Sequence, residues 1–203
     1  MQPKTQYMER FIMQDLIAWK NREDRKPLIL LGARQVGKTY ILKEFGQREF
    51  ENVAYINCDN NAMAKDLFAS DYNIDRILLT IGAITGVNIE AGKTLIIMDE
   101  IQELHRGLAS LKYFCENARE YHVAVAGSLL GLSLHQGESY PVGKVNTLEM
   151  YPMTFEEFLW ARGFKQRMDL LQHGMWDVVK SLRTLYIQHL RESVSYTHLT
   201  LPT

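Results

Sequence analysis

A four-residue apolar run, Leu28-Ile29-Leu30-Leu31, enters the octapeptide Gly32-Ala33-Arg34-Gln35-Val36-Gly37-Lys38-Thr39 and leaves it into a helix-forming stretch at 40–50. No other feature restricts the fold as much. A continuous apolar run bounded by a turn reads as a strand buried on both faces, and such a strand needs helices on both sides of its sheet. The octapeptide fits G-x-x-x-x-G-K-[ST] without a mismatch. Its glycines let the backbone fold back so that successive N–H groups, from Gly32 through Thr39, converge on phosphate oxygens. The helix that follows adds the partial positive charge of its N-terminus. In this pattern Lys38 is expected to reach the β- and γ-phosphates, and the Thr39 hydroxyl to bind Mg²⁺.

The rest of the chain alternates between the two periodicities. Residues 7–20 place Phe11, Ile12, Leu16 and Trp19 on one helical stripe. Strands are expected at 27–31, 53–57, 94–98, 122–126 and 145–150. Helices are expected at 61–69, 74–82, 108–120 and 175–191, with another opening at the Thr154–Glu157 capping box. Strands alternating with helices predict an α/β fold, a mainly parallel sheet between two helical layers.

Two further strand ends carry polar residues. Leu95-Ile-Ile-Met98 ends in Asp99-Glu100, and in open α/β sheets ligands sit outside that end. Asp99 is expected to hold Mg²⁺ through water, and Glu100 to orient and deprotonate an attacking water. The strand at 122–126 runs into Gly127-Ser128. Ser128 is read either as a hydrogen-bonding partner of that water or of the γ-phosphate, or as the N-cap of the segment after it.

Composition narrows the class. The 23 Lys+Arg nearly cancel the 24 Asp+Glu, for a net charge of -1, so no whole-chain basic footprint points to nucleic acid. No run approaches the roughly 18 apolar residues of a membrane span, and a cytoplasmic protein is the expectation. Cys58 and Cys115 read as buried soft hydrophobes in a reducing compartment. His105, His122, His135, His173 and His189 show no metal-ligand spacing, and the aromatic residues of 155–176 read as helix packing.

The final ten residues, from Val194 to Thr203, fit no element. They match the in-frame translation of a transposase adapter used in shotgun sequencing, so residues 193–203 are set apart as a sequencing scar. The natural chain is expected to be cut near Glu192.

Taken together, GARQVGKT at 32–39, LIIMDEIQEL at 95–104, AGSLLGL at 126–132 and LEMYPMTFEEFL at 148–159 resemble the AAA+ superfamily of P-loop ATPases. Within it the chain is most similar to a widespread group of ATP-binding proteins with a C-terminal domain of unknown function. The resemblance covers about residues 8–190. It implies an N-terminal helix and connector at 1–26, a P-loop ATPase core at 27–150, and the start of a helical lid at 151–192. It also implies that the Asp99 and Ser128 strands lie beside the phosphate-loop strand. Many relatives carry a Gly-Arg pair where this chain has Gly143-Lys144. Lysine lacks the planar fork of arginine, so no arginine finger is assigned, and Lys144 reads as a solvated surface charge.

The leading expectation is an ATPase with ATP and Mg²⁺ as ligands and Lys38, Glu100 and Ser128 in catalysis. No guanine-reading Asn/Thr-Lys-x-Asp motif is evident, which favours ATP. The alternative is a slow-turnover binding switch acting on a protein or DNA partner through the C-terminal part beyond Glu192, with homo-oligomerisation open. A phosphotransferase needs an acceptor pocket that the sequence does not display.

Overall fold

The structure, a computed structural model, describes residues 9–59, 61–65, 67–68, 71–128, 140–161 and 174–198. Five strands, β1 (Leu28–Gly32), β2 (Asn52–Asn57), β3 (Thr94–Asp99), β4 (His122–Ser128) and β5 (Asn146–Met150), form one sheet of order β2-β3-β4-β1-β5 with every pairing parallel. Period-2 alternation divides their side chains between two faces. Leu28, Leu30, Leu95, Ile97, Ala124 and Ala126 meet α1 (Ile12–Lys20) and α2 (Lys38–Glu49). Ile29, Ile56, Ile96, Met98, Val123 and Val125 meet α4 (Ile74–Thr85) and α5 (Gly107–Asn117) on the other face. A short α3 (Ala62–Lys65) and a 3-10 turn (Ile101–Glu103) complete that layer. The result is the three-layer α/β/α architecture expected from the strand patterns. The apolar runs are explained by burial on both faces, with Leu95 to Met98 fully buried.

Parallel pairing forces each strand to be reached by a crossover, and the crossovers set the sheet order. The chain leaves β1, one strand in from an edge, crosses to β2 at the opposite edge, returns through β3 and β4, and passes beyond β1 to β5. This corrects the expected neighbourhood of the site. The Ser128 strand does pair with the phosphate-loop strand, Gly32 opposite Ser128, but the Asp99 strand does not. β4 lies between them, with Asp99 opposite Ala126.

The first helix also differs in detail. α1 begins at Ile12, so its inward stripe is Ile12, Met13, Leu16 and Trp19. Phe11, one residue ahead of it, is 42% exposed and stands edge-on to Trp160 at 4.7 Å. After β5 come α6 (Phe155–Ala161) and α7 (Trp176–His198). They pack through Leu159 and Val179, and Phe155 and Phe158 lie against Tyr186. The expected capping box forms reciprocally: the Glu157 N–H donates to Thr154 Oγ1 at 3.2 Å, and the Thr154 N–H donates to Glu157 Oε2 at 2.7 Å. The backbone of α7 runs through residues 194–198, where the sequence suggested no element.

Candidate functional site

β1 delivers Gly32 to the C-terminal edge of the sheet, and the chain turns there through residues 33–37. Glycine is required at 32 because a Cβ would collide with the Met150 carbonyl oxygen at the end of β5. At Gly37, φ is 97°, a left-handed conformation that an L side chain strains to adopt. Gln35, at φ 63°, shares the left-handed region. Two such residues so close together reverse the chain tightly before α2 begins at Lys38. No side chain caps that helix, so its first N–H groups remain turned toward the loop's interior.

A cavity of about 690 Å³ opens at this point, within the range of small-molecule sites. Arg34, Gln35, Gly37, Lys38 and Thr39 of the loop line it together with Glu100, Gln102 and Glu103 beyond β3, and with Tyr40 and Asp59. Lys38 is buried, and its ammonium donates to the carbonyls of Gly32 at 2.9 Å and Ala33 at 2.8 Å. Burial pulls its pKa below the ordinary lysine value, opposed by the Glu100 and Asp99 carboxylates. The cation is therefore held by its own loop within the field of the two acids.

Asp99, 6% exposed, ends β3 directly behind Thr39. The Thr39 hydroxyl donates to Asp99 Oδ2 at 2.6 Å, joining residues 60 apart in the chain. The Tyr55 hydroxyl donates to the same oxygen at 3.2 Å. Burial, reinforced by Asp99, pushes the Tyr55 phenol up to about 12, so it stays a donor at any physiological pH. Burial, with Asp99 and Glu100 adding, likewise pushes the Cys58 thiol up to about 12 and leaves it inert. A hydroxyl and a carboxylate oxygen in contact are the hard donors that Mg²⁺ takes alongside water and phosphate oxygens. The residues present thus fit that ion. Among the described residues no cluster of three or more His, Cys, Asp or Glu forms a separate metal site.

Glu100 leaves the strand in a left-handed conformation, φ 53°, which turns its side chain away from the path of β3. Gln102 Nε2 donates to Glu100 Oε2 at 2.5 Å, while Gln102 Oε1 is buried without a partner among the described residues. Ser128 ends β4 level with Gly32, and its side chain lies outside the described residues, as do residues 129–139. His135 and His173 fall outside them too. Lys144, read as a surface charge, pairs with Glu116 at 2.8 Å on the solvent side.

The structure thus brings Arg34, Gln35, Gly37, Lys38, Thr39 and Glu100 to one cavity, with Asp99 in contact with Thr39. Sequence reasoning missed Tyr55 and Gln102, which hold the two acids. The signal for Gln102 lay in plain view, two residues past Glu100. Tyr55 sat inside an apolar strand with nothing to mark its phenol.

A sequence model described as an AAA domain matches residues 24–159, more than half of the chain. Among solved structures the chain is similar to the Orc1 protein of Aeropyrum pernix in complex with DNA, at a TM-score of 0.45 and 14% identity. That likeness covers 75% of this chain and 47% of the other, so this chain spans about half the length of that protein. Among curated proteins none matches. No helix of the described residues is long and apolar enough to cross a membrane.

Proposed function

The chain belongs to the AAA domain family of nucleotide-binding, P-loop ATPase type, and on that premise we propose that it binds Mg²⁺-ATP at residues 32–39 and hydrolyses it. One observation carries the reading: Lys38 and Thr39 of the loop and Glu100 beyond β3 line the same cavity. Water attacking the γ-phosphate in line must stand opposite the leaving oxygen, and a carboxylate lining the same cavity as the phosphate-binding loop supports a base for that water.

The loop N–H groups and the first turn of α2 take the β- and γ-phosphate oxygens. Lys38 exchanges the carbonyls of its own loop for phosphate oxygens and offsets their charge. Thr39 and Asp99 would hold Mg²⁺, which supplies further neutralisation of the phosphate oxygens when bound. Tyr55 keeps Asp99 aimed by donating to one of its oxygens. Glu100 accepts the proton of the attacking water, and Gln102 fixes the carboxylate that does so. Calorimetry with Mg²⁺-ATP and single-turnover hydrolysis test the proposal together. Absence of binding removes it, and binding without measurable turnover transfers the assignment to the second reading.

That second reading is a nucleotide-controlled switch with slow turnover, acting on a protein or DNA partner. The Gln102 amide engaging Glu100 supports it, because a carboxylate oxygen occupied by that amide is not free to accept from an attacking water. Turnover rising when Gln102 is replaced by Ala would favour the switch; turnover falling would favour a catalytic Glu100 that Gln102 positions.

A further inference from the structure

Arg10 reaches the phosphate loop from outside it, from the residue pair ahead of α1. Its guanidinium is buried, the side chain 6% exposed, against three separate stretches of chain. Nη1 donates to the Val36 carbonyl at 3.2 Å, and Nη2 to the Tyr151 carbonyl at 2.8 Å. Nε lies 3.0 Å from Glu157 Oε1, an ion-pair distance, though it is not aligned to donate a hydrogen bond. Glu157 is 4% exposed and also holds the N–H of Phe11 at 2.8 Å and, as the capping residue of α6, the N–H of Thr154. One buried pair therefore ties the phosphate loop, the end of β5 and the N-terminus of α6 together.

The contact with Val36 bears on the cavity through the geometry of the peptide bond. No peptide in the described chain is cis, and in a trans peptide the C=O and N–H point in opposite directions within one plane. Holding the Val36 carbonyl toward Arg10 thus fixes the direction of the Gly37 N–H on the other side of that plane. Gly37 lines the cavity, and its lack of a side chain leaves the peptide otherwise free to rotate.

We propose that Arg10 is a positioning residue for the phosphate loop and that, through Glu157, it couples nucleotide occupancy to the N-terminus of α6. The proposal rests on nucleotide binding at 32–39 as read above. Phosphate oxygens that take the loop N–H groups hold the Val36–Gly37 peptide, and the carbonyl of that peptide holds Arg10 against Glu157. By linkage the effect is reciprocal: whatever holds Arg10 in place tightens the nucleotide. Lysine cannot substitute, because a point charge cannot serve two carbonyls and a carboxylate in one plane.

The test uses the full chain, Mg²⁺-ATP as the probe, and two variants. Arg10→Lys keeps a cation beside Glu157 but loses the fork. The double variant Arg10→Met with Glu157→Gln removes both charges, so no buried charge is left alone. Mg²⁺-ATP affinity, melting temperature and amide hydrogen exchange at Thr154, Glu157 and Phe158 are measured in each. In the parent, Mg²⁺-ATP is expected to slow exchange at those three amides. In Arg10→Lys the melting temperature should stay near the parental value. Its affinity should fall about two- to thirty-fold, the range that packed networks transmit, and the slowing at α6 should vanish. The double variant should lose the slowing as well.

Unchanged affinity with the slowing retained in Arg10→Lys overturns the proposal. So does a drop in melting temperature alone, which would make Arg10 a structural clamp. A parent that binds Mg²⁺-ATP without slowing the α6 amides also overturns the coupling and leaves the functional reading intact. A parent that does not bind removes both.

Discussion

At the scale of single residues the site is a set of charges held by neighbours. Lys38 donates to two carbonyls of its own loop and is attracted by the two carboxylates at the end of β3, so its charge is placed before any ligand arrives. Lys38→Ala is expected to weaken Mg²⁺-ATP binding by about 1.5–3 kcal/mol, the worth of a hydrogen bond to a charged group; calorimetry reads this directly. Glu100 and Asp99 adjoin in sequence and differ in role. Glu100 lines the cavity, while Asp99 is turned to the Thr39 and Tyr55 hydroxyls. Glu100→Gln should lower single-turnover hydrolysis by about 10²–10⁴-fold, the usual contribution of a general base, with little change in affinity. Asp99→Asn should instead weaken the Mg²⁺ dependence of binding itself. A parental rate in Glu100→Gln would end the catalytic assignment.

At the scale of elements, the helix that follows β5 is anchored by its cap. The two reciprocal bonds between Thr154 and Glu157 satisfy N–H groups that the first turn cannot pair internally. Thr154→Ala should cost about 1 kcal/mol of stability, the typical loss of an N-cap hydroxyl, visible as a lower urea midpoint at unchanged slope. This cap was legible in sequence, because a capping box is a pattern of four consecutive residues. The loop from 32 to 39 was legible for the same reason. The end of Glu157 that meets Arg10 was not, since Arg10 lies near the other end of the chain. Nor was the displacement of Phe11 from the helical stripe: Phe11 stands just ahead of α1 and meets Trp160, a partner far along the chain.

At the scale of the whole molecule, His122 couples the folded state to pH. It opens β4 with its ring edge-on to Trp19 and Phe50, 6% exposed, with Nδ1 buried and unpartnered among the described residues. Burial, with the nearby Arg25 and Lys20 cations adding, lowers its pKa to about 4 from an ordinary 6.5. Between those values the unfolded chain binds a proton that the folded chain does not. Stability from this group is therefore full above pH 6.5 and falls as the pH drops toward 4, with a limiting slope of about 1.4 kcal/mol per unit. Urea unfolding across pH 4–7 should show that slope, and His122→Leu should flatten it. A parental profile that is level over this range would contradict a buried neutral imidazole.

What the sequence by itself determined is local. The phosphate loop with its strand before and helix after, the alternation of strands and helices, and the acids ending β3 follow from side-chain period and turn chemistry. Both act over a few residues and survive any rearrangement of the elements around them. Tertiary structure decided what stands beside what. β4, and not β3, neighbours β1, because a parallel sheet is ordered by its crossovers, and β3 and β4 are alike in being apolar on both faces. Tyr55 reaches Asp99 and Arg10 reaches Val36 because that order brings their elements to one edge. No local pattern specifies such contacts: a polar side chain in an apolar stretch gains its partner only when the layers close over it and remove water as the alternative.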